Sequence, residues 1–146
     1  MDQTERFYEL IQKEMAVTLA TACESSVTMR LVSPVYYKGD ILIFTAPTSR
    51  KYQQLQANPN CCLAVGPYFA EATATFYGST MLDANKELRD AYRGKFHDAF
   101  DEGIAFGGGS ADFILLKPTK LTGWAFENDT STADGVPTIP FSIDLR

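Results

Sequence analysis

The sequence predicts a mainly β protein, an antiparallel barrel that is closed or nearly closed and is flanked by α-helices. Short apolar segments follow one another with only brief turns between them, which is typical of antiparallel strands. Longer segments between them carry the apolar rhythm of amphipathic helices. The chain has 146 residues, of which 45% are hydrophobic, and this is enough to fill one core. We therefore expect a single domain over residues 1–146.

The first third of the chain predicts one helix followed by a meander of strands. An apolar stripe at helical spacing marks the helix and consists of Phe7, Leu10, Ile11 and Met15. The helical spacing is lost after this stripe, and strands are predicted over 16–23 and 27–32. The tight turn Lys38-Gly39-Asp40 separates Tyr36-Tyr37 from a further strand over 41–45.

The rest of the chain alternates between helices and strands. Thr48-Ser49 can cap a helix over 50–57, which Asn58-Pro59 ends. Asp83 can cap a second amphipathic helix, whose apolar positions continue to Phe100. The predicted strands of this part span 61–65, 72–82, 112–117, 120–126 and 141–145. Two segments are interpreted as irregular, a flexible glycine joint over 107–109 and a polar tail over 128–140.

The charge balance and the cysteine count exclude several classes of protein. Thirteen Lys and Arg against 18 Asp and Glu give a net charge of −5, which argues against binding to nucleic acid or to an anionic membrane. Neither a membrane-spanning apolar run nor a signal peptide is recognisable, so we expect a soluble, cytoplasmic protein. The three cysteines, two of them adjacent, fit neither a disulfide framework nor a metal site.

The most informative segment joins the strand over 41–45 to the helix over 50–57. Arg50 and Lys51 lie in the first helical turn, where the helix dipole disfavours cations. A bound anion would resolve this conflict, because free amides, the hydroxyls of Thr48 and Ser49, and the two cations could together hold a phosphate. The alternative interpretation is a solvated pair of charges that happens to open a helix.

A further cation lies in the middle of a predicted strand. Arg30 alternates with apolar residues in Thr28-Met29-Arg30-Leu31-Val32. Such a residue either points to solvent or reaches a buried partner, and a ligand contact is one of these possibilities.

Several motifs follow one another in a fixed order: Thr18-Leu19-Ala20-Thr21, Arg30-Leu31-Val32, Phe44-Thr45 followed by Ser49-Arg50-Lys51, and Leu55 with Asn58-Pro59. In this order and spacing they resemble the FMN-binding split-barrel family, typified by pyridoxamine 5′-phosphate oxidase. The resemblance is best over residues 16–65 and continues more weakly from Tyr77-Gly78 to Trp124. The segment Ser49-Arg50-Lys51 after a strand that ends in Thr45 is its most specific element.

The resemblance implies a homodimer of split barrels that holds FMN at the subunit interface. It assigns Arg50 and Lys51 to the FMN phosphate, with Ser49 nearby, and Arg30 to the phosphate or the ribityl chain. The remaining assignments are the backbone of Leu31, Val32 and Ser33 at the edge of the flavin ring, Phe44 and Thr45 along the ribityl chain and phosphate, and Trp124 near the ring from the partner subunit.

The function expected from this resemblance is FMN-dependent redox chemistry on an unknown small-molecule substrate or electron donor. The tail over 128–146 lacks the family's Arg- and His-rich substrate motif, so we expect a short relative rather than the oxidase itself. No catalytic side chain is assigned. Four alternatives stay open. The first is a non-catalytic flavin protein, which stores flavin, senses redox state or transfers electrons. The others are a deazaflavin reductase, a protein that binds another phosphorylated ligand, and a haem protein. His97, the only histidine, is interpreted as a surface residue of the second amphipathic helix.

Overall fold

The computed structural model describes residues 2–106, 110–125 and 139–146. Within them the chain forms helices α1 to α3, a short 3-10 helix and strands β1 to β8. In chain order these are α1 Gln3–Lys13, β1 Val17–Cys23, β2 Ser26–Val32, β3 Val35–Tyr37, β4 Asp40–Thr45, α2 Arg50–Ala57, β5 Asn60–Val65, β6 Tyr68–Ser79, the 3-10 helix Asp83–Asn85, α3 Lys86–Phe106, β7 Asp112–Ala125 and β8 Ile139–Asp144. The glycine joint predicted over 107–109 and nearly all of the polar tail lie outside the described residues.

All the strands belong to one antiparallel sheet that does not close. Its order is β2-β1-β5-β6-β7-β4-β3, with β8 paired to β7. The edge strands β2 and β3 follow each other in the chain and are joined only by Ser33-Pro34. The two free edges therefore lie side by side at this link, and the barrel is split there. This architecture confirms the predicted fold class, a mainly β antiparallel split barrel with flanking helices.

Two hydrophobic clusters hold the sheet and the helices together. The larger one fills the barrel, where Phe7 and Ile11 of α1 and Leu55 of α2 pack against the inward residues of the strands. The smaller one lies between α3 and the outer side of β3, β4 and β7. Because β4 contacts both clusters, its residues Ile41, Leu42 and Ile43 are all buried although they alternate in direction.

The long strands β6 and β7 differ from the sequence prediction. The strand predicted over 72–82 begins earlier, at Tyr68, and ends at Ser79, because Gly66-Pro67 forms the two-residue loop of a β5–β6 hairpin, with Gly66 at the positive φ that such a loop requires. The strands predicted over 112–117 and 120–126 are one strand, β7. Pro118 is tolerated inside it because β7 pairs with β4 only up to Leu116 and with β8 only from Lys120, so one edge is unpaired at the proline.

The helix ends also differ from the prediction. The helix α1 ends at Lys13, so Met15 lies beyond it and is 60% exposed rather than part of the apolar stripe. Asp83 does not cap α3 but begins the 3-10 helix. The backbone of Phe96 is non-helical and kinks α3, which lets both halves of the helix pack on the same strands. Among the described residues, no helix is both long and apolar enough to cross a membrane.

Candidate cofactor site

A cavity of about 210 Å³ opens at the split of the barrel. It is lined by Leu31, Val32, Ser33, Phe44, Lys51 and Tyr92. The first three belong to the free edge strand β2 and the link that follows it, whereas Phe44 belongs to β4, beyond the other edge. The cavity therefore exists because the sheet does not close between β2 and β3. The free edge of β2 offers backbone N–H and C=O groups that no other strand of the described residues pairs with.

Helix α2 begins beside this cavity, and its first turn is held by hydroxyl groups. Ser49 is the N-cap and accepts a hydrogen bond from the amide of Tyr52, and its hydroxyl lies 3.0 Å from that of Thr45. The phenol of Tyr52 donates to Asp112 at 2.8 Å, which ties α2 to the start of β7. The first turn contains no acidic residue, and its leading amides have no carbonyl one turn earlier. The N-terminal end of α2 is thus a fixed, positive surface.

The guanidinium of Arg30 is fixed by neutral groups. Its Nη1 donates to the hydroxyl of Thr21 at 2.7 Å and to the backbone carbonyl of Leu19 at 3.2 Å. Its Nη2 donates to the hydroxyl of Thr28 at 2.5 Å and lies 3.4 Å from Oε1 of Gln54. Arg30 thus lies on the inward face of β2, between β1 and α2.

Three cations, Arg30, Arg50 and Lys51, come together beside the start of α2. Burial and the nearby Arg50 lower the pKa of Arg30, and burial and the nearby Arg30 lower the pKa of Lys51. Arg50 itself donates to the hydroxyl of Ser26 at 2.9 Å. In the part of the chain that the structure describes, no carboxylate forms an ion pair with any of the three. A cluster of uncompensated positive charge, partly buried, fits an anionic group such as a phosphate.

The far wall of the cavity is aromatic. Phe44 packs edge-on against Tyr92 and Phe100, with ring centroids 5.0 and 5.2 Å apart. The buried hydroxyl of Tyr92 donates to the carbonyl of Ser33 at 2.7 Å, and burial raises the pKa of this phenol well above its usual range. This hydrogen bond fixes the link between the two edges of the split, so α3 sets the shape of the cavity.

Nine of the ten residues that the resemblance assigns to the cofactor lie in the part of the chain around this cavity. Five of them line it directly, and Arg30, Thr45, Ser49 and Arg50 lie beside the start of α2. Trp124 does not join them. It lies on β7 and is 48% exposed. Phe113 of β7 pairs with the cavity-lining Phe44, whereas Trp124 pairs with Pro140 of β8 eleven residues further along the strand, about 36 Å at 3.3 Å per residue. Within one chain Trp124 cannot reach the cavity.

Sequence reasoning missed four residues of this site, Thr21, Thr28, Gln54 and Tyr92. Gln54 follows Arg50 by one helical turn, and this spacing was the only signal that it shares a face with that cation. Tyr92 is predicted as an apolar core residue of α3, and nothing in the sequence indicates that its hydroxyl meets Ser33 across 59 positions.

The chain matches the family model of pyridoxamine 5′-phosphate oxidase over residues 3–124. It therefore belongs to this family, as the resemblance of its motifs predicts. No curated protein sequence matches the chain.

Solved structures agree on the fold. General stress protein 26 from Bacillus anthracis has a TM-score of 0.67 at 15% identity, over 83% of this chain and 92% of its own. A FAD-binding protein from Mesorhizobium loti has a TM-score of 0.64 at 13% identity, over 83% and 92%. A haem storage protein from Vibrio cholerae has a TM-score of 0.66 at 14% identity, over 89% and 100%. At such identities the likeness concerns the fold alone.

Proposed function

We propose that this protein binds FMN in the cavity at the split and uses it as a flavin-dependent oxidoreductase on a small molecule. The observation that carries the proposal is the cluster of Arg30, Arg50 and Lys51, which has no acidic partner among the described residues. The family match and the FAD-binding structural relative support a flavin. A terminal phosphate gives FMN the compact negative charge that such a cluster would bind most strongly.

Each part of the site has a role in this proposal. Arg50 and Lys51 hold the phosphate together with the first-turn amides of α2, and Arg30 approaches it from β2. Ser49 and Thr45 keep that turn in place through their hydroxyl contact. The backbone of residues 31–33 faces the polar edge of the ring, and Phe44 lies along the ribityl chain.

The bound flavin supplies the electron or hydride transfer, so the protein has to anchor, orient and shield it. A side-chain acid or base is not required for this chemistry. His97 does not serve as one in this proposal, because its side chain is 83% exposed and its Nδ1 is paired with Oδ1 of the neighbouring Asp98. Its exposure also disfavours an alternative in which His97 binds haem inside the cavity.

A homodimer would complete the site. Val27, Met29 and Leu31 project from the outer face of β2, and each is about 70% exposed. Their cross-strand neighbours on β1 and β5 include Ala20, Cys62 and Ala64, which extend the apolar surface. An exposed apolar face of this kind is typical of a protein interface. In the dimer, Trp124 of a second copy would approach the ring that Trp124 of the same chain is too distant to meet.

Met29 offers a test of the dimer because it does not line the cavity. We expect Met29→Asp to reduce the gel-filtration mass from two chains to one and to weaken FMN binding at least tenfold, since a carboxylate would be buried in the interface. Ala99→Asp, on the exposed side of α3, adds the same charge and should change neither. A variant that keeps both the wild-type mass and the wild-type affinity would contradict this interface.

The cofactor is tested by absorption spectra of the purified protein with added FMN, riboflavin, FAD and haemin. We expect saturable FMN binding at one per chain, and weaker binding of riboflavin, which lacks the phosphate. Oxidation of a nicotinamide donor would then separate an oxidoreductase from a flavin store. The proposal would be overturned if the protein bound none of the three flavins but did bind haemin, a deazaflavin or another phosphorylated ligand.

The lowered pKa of Lys51 predicts a pH dependence. A bound phosphate favours the charged amine, so FMN affinity is full while Lys51 is protonated and falls as the pH rises through the lowered pKa of Lys51. At its steepest the fall is about tenfold per pH unit, as for one proton. Lys51→Arg should remove it, because a guanidinium stays charged. Riboflavin, titrated in parallel, controls for ionisation of the flavin ring. If the ratio of FMN affinity to riboflavin affinity does not change with pH, this role of Lys51 is excluded.

A further inference from the structure

Gln54 occupies an unusual place beneath the cation cluster. It lies on α2 and is 7% exposed. Its Oε1 accepts hydrogen bonds from the hydroxyls of Thr21 and Thr28, the two hydroxyls to which Arg30 donates. The distances from Oε1 are 2.5 Å to Oγ1 of Thr21 and 2.7 Å to Oγ1 of Thr28. The β1–β2 hairpin and helix α2, which are distant in the sequence, therefore meet at one amide oxygen.

The direction of each hydrogen bond in this network is fixed by chemistry. A guanidinium can only donate, so both threonine hydroxyls accept from Arg30. Each hydroxyl then has its own hydrogen to donate, and Oε1 of Gln54 is the acceptor within reach of both. The two hydroxyls lie 3.4 Å apart, but neither has a second hydrogen to donate to the other. Gln54 is thus the terminal acceptor of two parallel chains that begin at Arg30.

The identity of this acceptor matters for charge. A glutamate would accept the same hydrogen bonds and would bind Arg30 more strongly, because charge-assisted hydrogen bonds are the stronger ones. It would also place a negative charge among Arg30, Arg50 and Lys51 and cancel part of their field. A glutamine orients the guanidinium and leaves all of its charge available.

We propose that Gln54 is a positioning residue of the anion site, a neutral acceptor that fixes Arg30 without neutralising it. This inference rests on the proposed function, since it concerns the residues that would hold the FMN phosphate. It makes the charge of position 54, and not only its shape, a determinant of the preference for phosphorylated over unphosphorylated flavin.

The test compares the affinities of FMN, riboflavin and inorganic phosphate in four full-length proteins: wild type, Gln54→Glu, Gln54→Met and Gln56→Glu. Gln56 lies on the same helix and is exposed, so its variant carries the same added charge outside the network. We expect Gln54→Glu to keep or raise the Tm, because Arg30 gains an ionic partner. The same variant should weaken FMN about tenfold or more while leaving riboflavin within about twofold. Gln56→Glu should stay within about threefold of wild type for both flavins.

Gln54→Met separates charge from structure, because it removes the acceptor without adding charge. It should lower the Tm and weaken FMN less than Gln54→Glu does. The inference is overturned if Gln54→Glu keeps the wild-type ratio of FMN to riboflavin affinity, or if the methionine variant loses as much of that ratio as the glutamate variant. A wild-type protein that binds phosphate but no flavin would overturn the proposed function. The inference would then be overturned as well if Gln54→Glu bound inorganic phosphate as tightly as the wild type. A wild-type protein that binds neither would overturn both.

Discussion

Replacing Arg50 and Lys51 together with alanine is expected to weaken FMN binding by at least one to two orders of magnitude. Each substitution would remove a charge-assisted hydrogen bond to the phosphate, and each such bond contributes about 1.5–3 kcal/mol to the free energy of binding. Neither cation has a carboxylate partner among the described residues, so their removal leaves no buried acid behind. The fold should therefore survive, and the lost affinity can be measured by fluorescence titration of the flavin.

The control variant removes two exposed cations elsewhere. Lys38→Ala with Lys86→Ala changes the net charge equally, and the surface ion pairs that these lysines form with Glu87 and Asp90 contribute little stability. Riboflavin is the control ligand, because its affinity should be nearly the same in all these proteins. A double variant of Arg50 and Lys51 whose FMN affinity equals that of the control would remove the phosphate assignment.

The second large effect concerns stability, and it comes from Gly123 on β7. A Cβ at this position would lie 2.2 Å from the backbone oxygen of Pro67 and 3.2 Å from Cε1 of Phe141. The φ of Gly123 is also positive, at 157°. Because the β5–β6 turn and β7 cannot both keep their positions, we expect Gly123→Ala to lower the free energy of unfolding by about 2–4 kcal/mol. The midpoint of thermal unfolding should fall by roughly 5–10 °C.

Gly94 provides the matched control for this substitution. It lies on α3, and no heavy atom beyond the adjacent residues and the helix's own backbone lies within 4 Å of a Cβ built there. Alanine favours a helix over glycine, so Gly94→Ala should raise the free energy of unfolding by about 0.5–1 kcal/mol. Equal thermal midpoints for the two variants would show that the close approach at Gly123 does not constrain the sheet.

The candidate site was only partly predictable. Arg50 and Lys51 were found because cations conflict with a helix N-terminus, which is a local rule. Arg30 was found because a charge interrupts an apolar alternation. Tyr92 and Gln54 gave no comparable signal, since a tyrosine on an apolar helix face and a glutamine in a polar helix are both ordinary. Their roles arise from hydrogen bonds to Ser33 and to Thr21 and Thr28, and these partners are far away in the sequence.

The sequence by itself determined most of the elements, the fold class and the family, because these follow from periodicity, turn residues and motifs that lie within a few positions of one another. Only the tertiary structure decided where strands end and which groups meet. Pro118 lies inside one strand because the pairing partner on one edge of β7 changes from β4 to β8 at that point. Similarly, the cavity exists because β2 and β3 stay unpaired beside each other. Such features depend on the sheet order, which joins residues that no local pattern connects.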